Sequence, residues 1–284
     1  MAVFSNQATL TYNGITTASN IAYGEILEVL SATKTAIEPN YTPDGTVTYV
    51  VTLRNTGTAP LTGLTVSDNL GGYVFGTNTV YPLAYVENTA ALFSNGTPQP
   101  APAVTAGPPL VFTDITVPAG GDTVLVYQAR TTAFAPPTEG GTVVNTVTVT
   151  GNALAAPVTA EETIGAATGA TLDITKSISP TQVVDNDRVT YTFVIRNSGN
   201  EAVVSTDNTV ITDQFDPVLS ALTVTFDGAV WSEGTQYTYN PTTGLFTSTA
   251  GAITVPAATY VQDPVTGEYT TTPGTATLTV TGTI

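Results

Sequence analysis

The stretch Thr46-Val47-Thr48-Tyr49-Val50-Val51-Thr52-Leu53-Arg54-Asn55-Thr56-Gly57 largely determines how the rest of the chain is interpreted. Its odd positions carry Val, Tyr, Val and Leu, while threonine occupies most of the even positions. A period of two with β-branched and aromatic residues is typical of a strand that buries one face. Asn, Thr and Gly at its end supply turn-forming residues. The stretch therefore predicts a β-strand that ends in a turn.

Segments of the same kind recur along the chain, for example at 142–149 and 189–195. Between them, 25 glycines and 19 prolines interrupt the chain every few residues. Short alternating strands with frequent turn signals predict an all-β protein made of immunoglobulin-like β-sandwiches.

The composition excludes several classes of function. The 284 residues include 22 Asp and Glu but only 6 Lys and Arg, for a net charge of −16. Such a surface argues against nucleic-acid binding and against docking on anionic membranes. No apolar run approaches the roughly 20 residues of a membrane helix, so no membrane insertion is predicted. Without Cys or His, thiolate and imidazole metal sites are excluded. A hard-cation site built from carboxylates is the alternative left open, and we predict no cofactor and no metal.

The strand around Tyr49 returns later as Arg188-Val189-Thr190-Tyr191-Thr192-Phe193-Val194-Ile195-Arg196-Asn197-Ser198-Gly199. A lysine precedes each copy and an aspartate follows it. Lys34 is therefore equivalent to Lys176, and Asp68 to Asp213. The repeat predicts two tandem sandwiches at 27–152 and 171–284, joined by a linker at 153–170 and preceded by an arm at 1–26.

This pattern resembles a bacterial and archaeal repeat, the domain of unknown function eleven. The pattern consists of a lysine, an extended Val-Thr-Tyr strand that ends in Arg-Asn-Ser/Thr-Gly, and then Val-x-Asp. The resemblance covers both copies. It implies an immunoglobulin-like β-sandwich of the kind found in tandem on long surface proteins.

The two repeats are not equally complete. Ile115-Thr116-Val117-Pro118-Ala119 and Ile253-Thr254-Val255-Pro256-Ala257 each lead into what we interpret as the same penultimate strand. The first repeat then adds a strand at 143–150, whereas the second stops at Ile284. By this count, the second sandwich lacks its last strand.

A candidate for that strand lies at the N-terminus. Phe4-Ser5-Asn6-Gln7-Ala8-Thr9-Leu10-Thr11 matches Val143-Val144-Asn145-Thr146-Val147-Thr148-Val149-Thr150 position by position. We expect a donor strand whose inward face carries Phe4, Asn6, Ala8, Leu10 and Tyr12, inserted into the second sandwich of the next subunit. The predicted partners are identical subunits in a head-to-tail homopolymer.

Two alternatives remain open. Residues 1–14 could pair within their own molecule, on an edge of the first sandwich. Alternatively, 8–11 could align with 276–279, which would make the last segment the final strand and the arm an appendage.

The same positions suggest covalent chemistry. Buried Lys, Asn and a carboxylic acid are the parts of a self-forming isopeptide bond, as in immunoglobulin-like domains of surface pili. Burial disfavours the ammonium, and a buried acid can assist at the amide. We predict Lys34–Asn145 within the first domain, assisted by Asp68, and Lys176–Asn6 between subunits, assisted by Asp213. Glu28 is a less favoured acid, and the alternative is that the lysines are solvated edge charges.

The function expected is a self-assembling extracellular fibre subunit, pilus-like or an endospore appendage, and not an enzyme. The N-terminal residues lack the features of a signal peptide, which suits assembly in a cytoplasm that later lyses, as in a spore-forming mother cell. The alternative is a monomeric two-domain adhesin or carbohydrate-binding module, in which an aromatic face could bind a sugar. Its members would be Trp231, Tyr237, Tyr239, Tyr260 and Tyr269.

Overall fold

The computed structural model describes residues 2–26 and 28–284 and confirms the all-β prediction. Its regular structure consists of strands and a single 3₁₀ turn at Ser205–Asp207, among the residues described. Within those residues, no helix has the length and apolar character needed to cross a membrane. The chain divides into two compact units, one of Met1–Pro136 with Gly141–Gly165 and one of Pro137–Gly140 with Ala166–Ile284.

The N-terminal arm forms a long antiparallel hairpin. Its strands are β1 (Ala2–Asn6), β2 (Thr9–Tyr12), β3 (Ile15–Ala18) and β4 (Ala22–Ile26). β1 pairs with β4 and β2 with β3, around a turn in which Asn13 and Gly14 both have positive φ angles, as hairpin turns with the right twist require. Every residue from 4 to 23 is exposed. The arm's strands thus pair with one another.

The first sandwich combines two sheets. Its strands are β5 (Leu30–Ala36), β6 (Asn40–Tyr41), β7 (Thr46–Asn55), β8 (Leu61–Asp68), β9 (Tyr73–Phe75), β10 (Asn78–Val80), β11 (Leu83–Tyr85), β12 (Ala91–Ser94), β13 (Thr97–Gln99), β14 (Ala103–Thr105), β15 (Leu110–Val117), β16 (Asp122–Thr131), β17 (Thr142–Thr150) and β18 (Val158–Ala166). One sheet has the order β13-β12-β16-β7-β5, with β11 also beside β16. The other has the order β14-β15-β8-β17-β18-β6, and β9 and β10 form a separate pair.

The core of this sandwich follows from the sequence alternation. The odd-numbered apolar residues of β7, namely Val47, Tyr49, Val51 and Leu53, are fully buried, as the period of two predicts.

The second sandwich repeats one of these sheets and part of the other. Its strands are β19 (Leu172–Ser179), β20 (Arg188–Asn197), β21 (Thr212–Gln214), β22 (Ser220–Phe226), β23 (Ala229–Trp231), β24 (Tyr237–Asn240), β25 (Leu245–Ser248), β26 (Thr259–Gln262), β27 (Tyr269–Thr272) and β28 (Gly274–Thr283). The large sheet has the order β19-β20-β28-β22-β23 and the small one β21-β25-β24, while β26 and β27 form a separate hairpin. β28 lies beside β20 as β16 lies beside β7, and therefore holds the penultimate position.

A shared hydrogen-bond pattern relates the two units in atomic detail. The Nδ2 of buried Asn55 donates to the carbonyls of Ala59, at 2.8 Å, and Val117, at 3.4 Å. At the equivalent position in the second unit, the Nδ2 of Asn197 donates to Glu201, at 2.7 Å, and Pro256, at 3.1 Å. Each asparagine therefore anchors the turn after its strand in the same way, and satisfies carbonyls that would otherwise be costly to bury.

The segment 153–170 differs from the linker that its composition suggests. It contains β18, which pairs along its length with β17 and buries Ile164 completely. The segment is rich in small residues, and the other residues of β18 are exposed or half-buried, so its apolar alternation is too weak to stand out in the sequence.

Candidate functional site

Three of the residues predicted for the first isopeptide bond lie together in the core of the first sandwich. Lys34 lies on the edge strand β5, Asp68 ends β8, and Asn145 lies on β17, which runs beside β8. All three are buried, with Lys34 3% exposed and the other two fully enclosed. The two sheets thus bring residues from distant parts of the chain into a single polar cluster.

The Asp68 carboxylate is the centre of this cluster. Its Oδ2 accepts a hydrogen bond from Lys34 Nζ at 2.8 Å and one from Asn145 Nδ2 at 3.3 Å. The Tyr127 hydroxyl donates to the same oxygen, and the Leu70 backbone N–H donates to Oδ1 at 2.6 Å. The amine and the carboxamide are therefore both held against one carboxylate oxygen.

Burial prepares the lysine for nucleophilic chemistry. Desolvation lowers the pKa of Lys34 to about 8, although the nearby Asp68 acts in the opposite direction. The ammonium nitrogen also lies 4.6 Å from the centre of the Tyr49 ring. The Asn145 Oδ1 is buried with no hydrogen-bond partner in the structure, so its amide carbonyl is free to accept a proton or a hydrogen bond during a reaction.

The second unit contains the same ion pair in an open setting. Lys176 Nζ lies 2.5 Å from Asp213 Oδ2, and their side chains are 39% and 16% exposed. The Tyr191, Phe193 and Phe215 rings lie within 5.4 Å of the lysine nitrogen. The lysine and acid are thus in place, while the corresponding pair in the first unit is sealed from solvent.

Asn6, the asparagine predicted for this second site, lies on β1 of the arm, where it pairs with Ala22 and is exposed. The other predicted donor residues, namely Phe4, Ala8, Leu10 and Tyr12, are exposed as well.

The second unit exposes the surface that β17 covers in the first. β8 lies between β15 and β17, whereas its counterpart β21 is the edge strand of its sheet. On β19, Leu172, Ile174 and Ile178 share a face with Lys176, and each is at least 38% exposed. Leu30, the counterpart of Leu172, is only 7% exposed. An uncovered sheet edge thus borders an apolar groove.

Tyr127 was not predicted from the sequence. Alternation within β16 places it on the inward face, but its contact with Asp68 depends on the register that sets it opposite Tyr49. The second unit has Val280 opposite Tyr191 at the equivalent place. Burial raises the pKa of Tyr127 well above its ordinary value, so its hydroxyl remains a neutral donor to the carboxylate.

The aromatic face considered for sugar binding is largely occupied by packing. Trp231 stacks on Phe226 with ring centres 5.1 Å apart, and Tyr237 stacks on Phe246 at 5.3 Å. Trp231 and Tyr237 belong to the buried core of the second unit. Among the described residues, no group of three acidic side chains is arranged to hold a metal ion.

In fold, the chain is similar to the pilus backbone RrgB of Streptococcus pneumoniae, with 12% identity and a TM-score of 0.34 over 86% of this chain and 55% of that one. It is also similar to the major pilin SpaD of Corynebacterium diphtheriae, with 14% identity and a TM-score of 0.38 over 85% of this chain and 58% of that one. The chain is also similar to the major pilin BcpA of Bacillus cereus, with 10% identity and a TM-score of 0.36 over 96% of this chain and 73% of that one. The chain thus spans little more than half of the first two proteins. Likenesses this distant carry no information on function.

No protein-family model and no curated protein sequence matches the chain.

The two ion pairs should respond differently to removal of the acid. In an Asn145→Ala background, where no isopeptide bond can form and Lys34 remains an amine, Asp68→Asn leaves the charge of Lys34 buried without its counterion, and should lower the free energy of unfolding by about 3–5 kcal/mol. Asp213→Asn acts on a partly solvated pair and should cost no more than about 1 kcal/mol. Denaturant unfolding of both variants measures the difference. Adding Lys34→Met to Asp68→Asn should recover much of the loss, and equal effects at the two sites would contradict this interpretation.

Proposed function

We propose that this chain is the structural subunit of a fibre that grows head to tail. In this proposal, the N-terminal arm of one subunit enters the open groove of the second sandwich of the next. The observation that carries the proposal is the uncovered edge of β21 beside exposed apolar residues of β19, in a chain whose arm matches the strand that covers the same place in the first sandwich.

Two surfaces of the chain each lack a partner. An edge strand over an apolar groove leaves backbone donors and acceptors unpaired and apolar area in water. The arm is a single hairpin with every residue from 4 to 23 exposed, and an isolated hairpin is at best marginally stable. Insertion of the arm resolves both problems at once. The match of Phe4 and Leu10 with the buried Val143 and Val149 gives the inserted face its apolar character.

The direction of assembly follows from where the two surfaces lie in the sequence. The arm begins the chain and the groove belongs to its second unit, so the contact joins two different surfaces. Heterologous contacts of this kind produce open filaments unless their rotation closes a ring. The resulting fibre would lie on the outside of a cell or spore, and its few Lys and Arg residues would leave few sites for trypsin-like proteases.

In the first sandwich, we propose that Lys34 and Asn145 form an isopeptide bond. Transfer of a proton from the ammonium to the Asp68 carboxylate produces a neutral amine and a carboxylic acid. The amine nitrogen attacks Cγ of the carboxamide, and the acid protonates the amide as the C–N bond breaks. The attacking nitrogen then loses a second proton to the Asp68 carboxylate, which ends as the acid. The Lys34–Asn145 amide replaces the side-chain amide of Asn145, and the nitrogen of that side chain leaves as ammonia.

In the second sandwich, the same chemistry needs an asparagine from another chain. Lys176 and Asp213 already form their pair, and the match of the arm with β17 would bring Asn6 to the position of Asn145. Covalent bonding would then follow insertion of the arm and lock each junction.

Assembly should depend on the inward face of the arm. Leu10→Asp places a charge where Val149 is fully buried in the first unit, and should leave single subunits. Ser5→Asp is the matched control, because its counterpart Val144 is exposed, and this variant should still form fibres. Electron microscopy and size-exclusion chromatography distinguish fibres from subunits. Fibres from the Leu10 variant, or their absence from the unaltered chain, would contradict the proposal.

Each isopeptide bond should lower the mass of the chain by one ammonia, about 17 Da. The intact mass of denatured subunits should show this loss, and Asn145→Ala or Asp68→Ala should abolish the loss from the first sandwich. Asn152→Ala, an exposed asparagine close by, is the control and should keep it. Fibres should also give a ladder of multimers in denaturing electrophoresis. A full calculated mass together with a single monomer band would refute both bonds.

A further inference from the structure

We infer that the element donated between subunits is the whole hairpin β1–β4, and that it supplies two missing strands instead of one. The inference rests on the proposed strand donation and specifies its partner surface, because both strands of the arm of one copy would be seated on the second sandwich of another.

The sheet orders show two vacancies. In the first unit, the order β14-β15-β8 continues through β17 and β18 to β6. In the second, the corresponding order β24-β25-β21 ends at β21. In the other sheet, the path β13-β12-β16-β7-β5 corresponds strand for strand to β23-β22-β28-β20-β19, and the short β11, which lies off that path beside β16, has no separate counterpart. Among the strands described, the second sandwich therefore lacks counterparts of β17 and β18, and at 182–183, the positions that correspond to β6, the chain forms no strand.

The arm has the architecture of the missing pair. β17 and β18 form an antiparallel hairpin in which Val143 lies opposite Ile164 and Asn145 opposite Glu162. In the arm, Phe4 lies opposite Gly24 and Asn6 opposite Ala22. Because the first strand of the arm matches β17 residue by residue, its second strand falls at the position of β18. On the first side of the arm, residues 7 and 8 separate β1 from β2. On the second side, residues 19–21 separate β3 from β4, and this one extra residue is the pattern of a β-bulge.

At one matched pair of positions, the two hairpins divide the side-chain volume differently between their strands. Val143 and Ile164 lie opposite each other and are both buried in the first sandwich. In the arm, the Phe4 ring covers Gly24, so that a Cβ on this glycine would lie 2.3 Å from the ring. The arm thus has a large side chain at Phe4 and no side chain at Gly24, where β17 and β18 have two side chains of intermediate size. One aromatic ring can fill the space that the valine and the isoleucine share, provided that both strands enter the groove.

The second sandwich also exposes the place where the outer strand of the hairpin would dock. In the first unit, β18 lies beside β6, the N–H of Gly165 donates to the Pro39 carbonyl at 2.9 Å, and Tyr41 is 3% exposed. In the second unit, the counterpart of Tyr41 is Val183, at 36% exposed, followed by Val184, at 72%. Two adjacent exposed valines mark an apolar edge that a single inserted strand would leave uncovered.

Replacement of the second strand alone distinguishes the two modes of donation. A full-length variant carries a Gly/Ser segment of equal length at 15–26 and keeps residues 1–14, including Asn6. Donation of the hairpin predicts that this variant needs at least about tenfold more protein to form fibres, because about 1.4 kcal/mol of lost contact corresponds to that factor. Donation of one strand predicts fibres at the same concentration as the unaltered chain, which would overturn the inference.

A second measurement does not depend on any variant. Hydrogen exchange of the unaltered chain should show fast exchange over 15–26 in subunits and strong protection of the same segment in fibres. Fibres in which only 2–12 gain protection would also overturn the inference while leaving strand donation intact. If the unaltered chain formed no fibres, the proposed function itself would fail, so the two failures are distinguishable.

Discussion

A sheet edge above an apolar groove cannot remain in water without cost, and this constraint organises the whole chain. In the first sandwich, the hairpin β17–β18 covers the edge of β8 and seals Lys34, Asp68 and Asn145 from solvent. In the second, the edge of β21 is open, and the equivalent lysine and aspartate remain accessible. At this site the two units differ in that hairpin and in Tyr127, whose place Val280 takes, while the lysine–aspartate pair is present in both.

Burial determines what the lysine can do in each unit. An exposed lysine–aspartate pair is an ordinary surface ion pair of small net energy. The same pair in the core exchanges its proton more easily, because desolvation disfavours the charged amine. Covering the second groove would transfer Lys176 from an exposed ion pair to a buried one. In this account, insertion of the arm is also the event that activates the lysine, so that covalent locking is confined to correctly assembled junctions.

Much of the fold could be predicted from the sequence because its signals are local. The alternation around Tyr49 gives the strand and its buried face, and the order of lysine, strand and aspartate at Lys34 and Asp68 recurs at Lys176 and Asp213. Other features depend on tertiary pairing. β18 lies in a segment of small residues whose alternation is weak, so it resembles a linker. Tyr127 reaches Asp68 through strand register, which the sequence does not encode locally.

The arm illustrates the same limit. Asn13-Gly14 is a strong hairpin signal, but the residue-by-residue match with β17 involves only the first strand of the arm. The position of the second strand follows from the pairing of β1 with β4.

Disulfide formation between two single-cysteine chains tests the central claim most directly, because the natural sequence has no cysteine. In the first sandwich, Thr148 lies opposite Ser67, and the corresponding positions are Thr9 on the arm and Thr212 on β21. Directly paired strand residues lie about 4.5–5.5 Å apart between Cα atoms, within the range of a disulfide. The account predicts that Thr9→Cys and Thr212→Cys chains, mixed and oxidised, join as heterodimers. Failure to form them, in mixtures that still assemble into fibres, would contradict it.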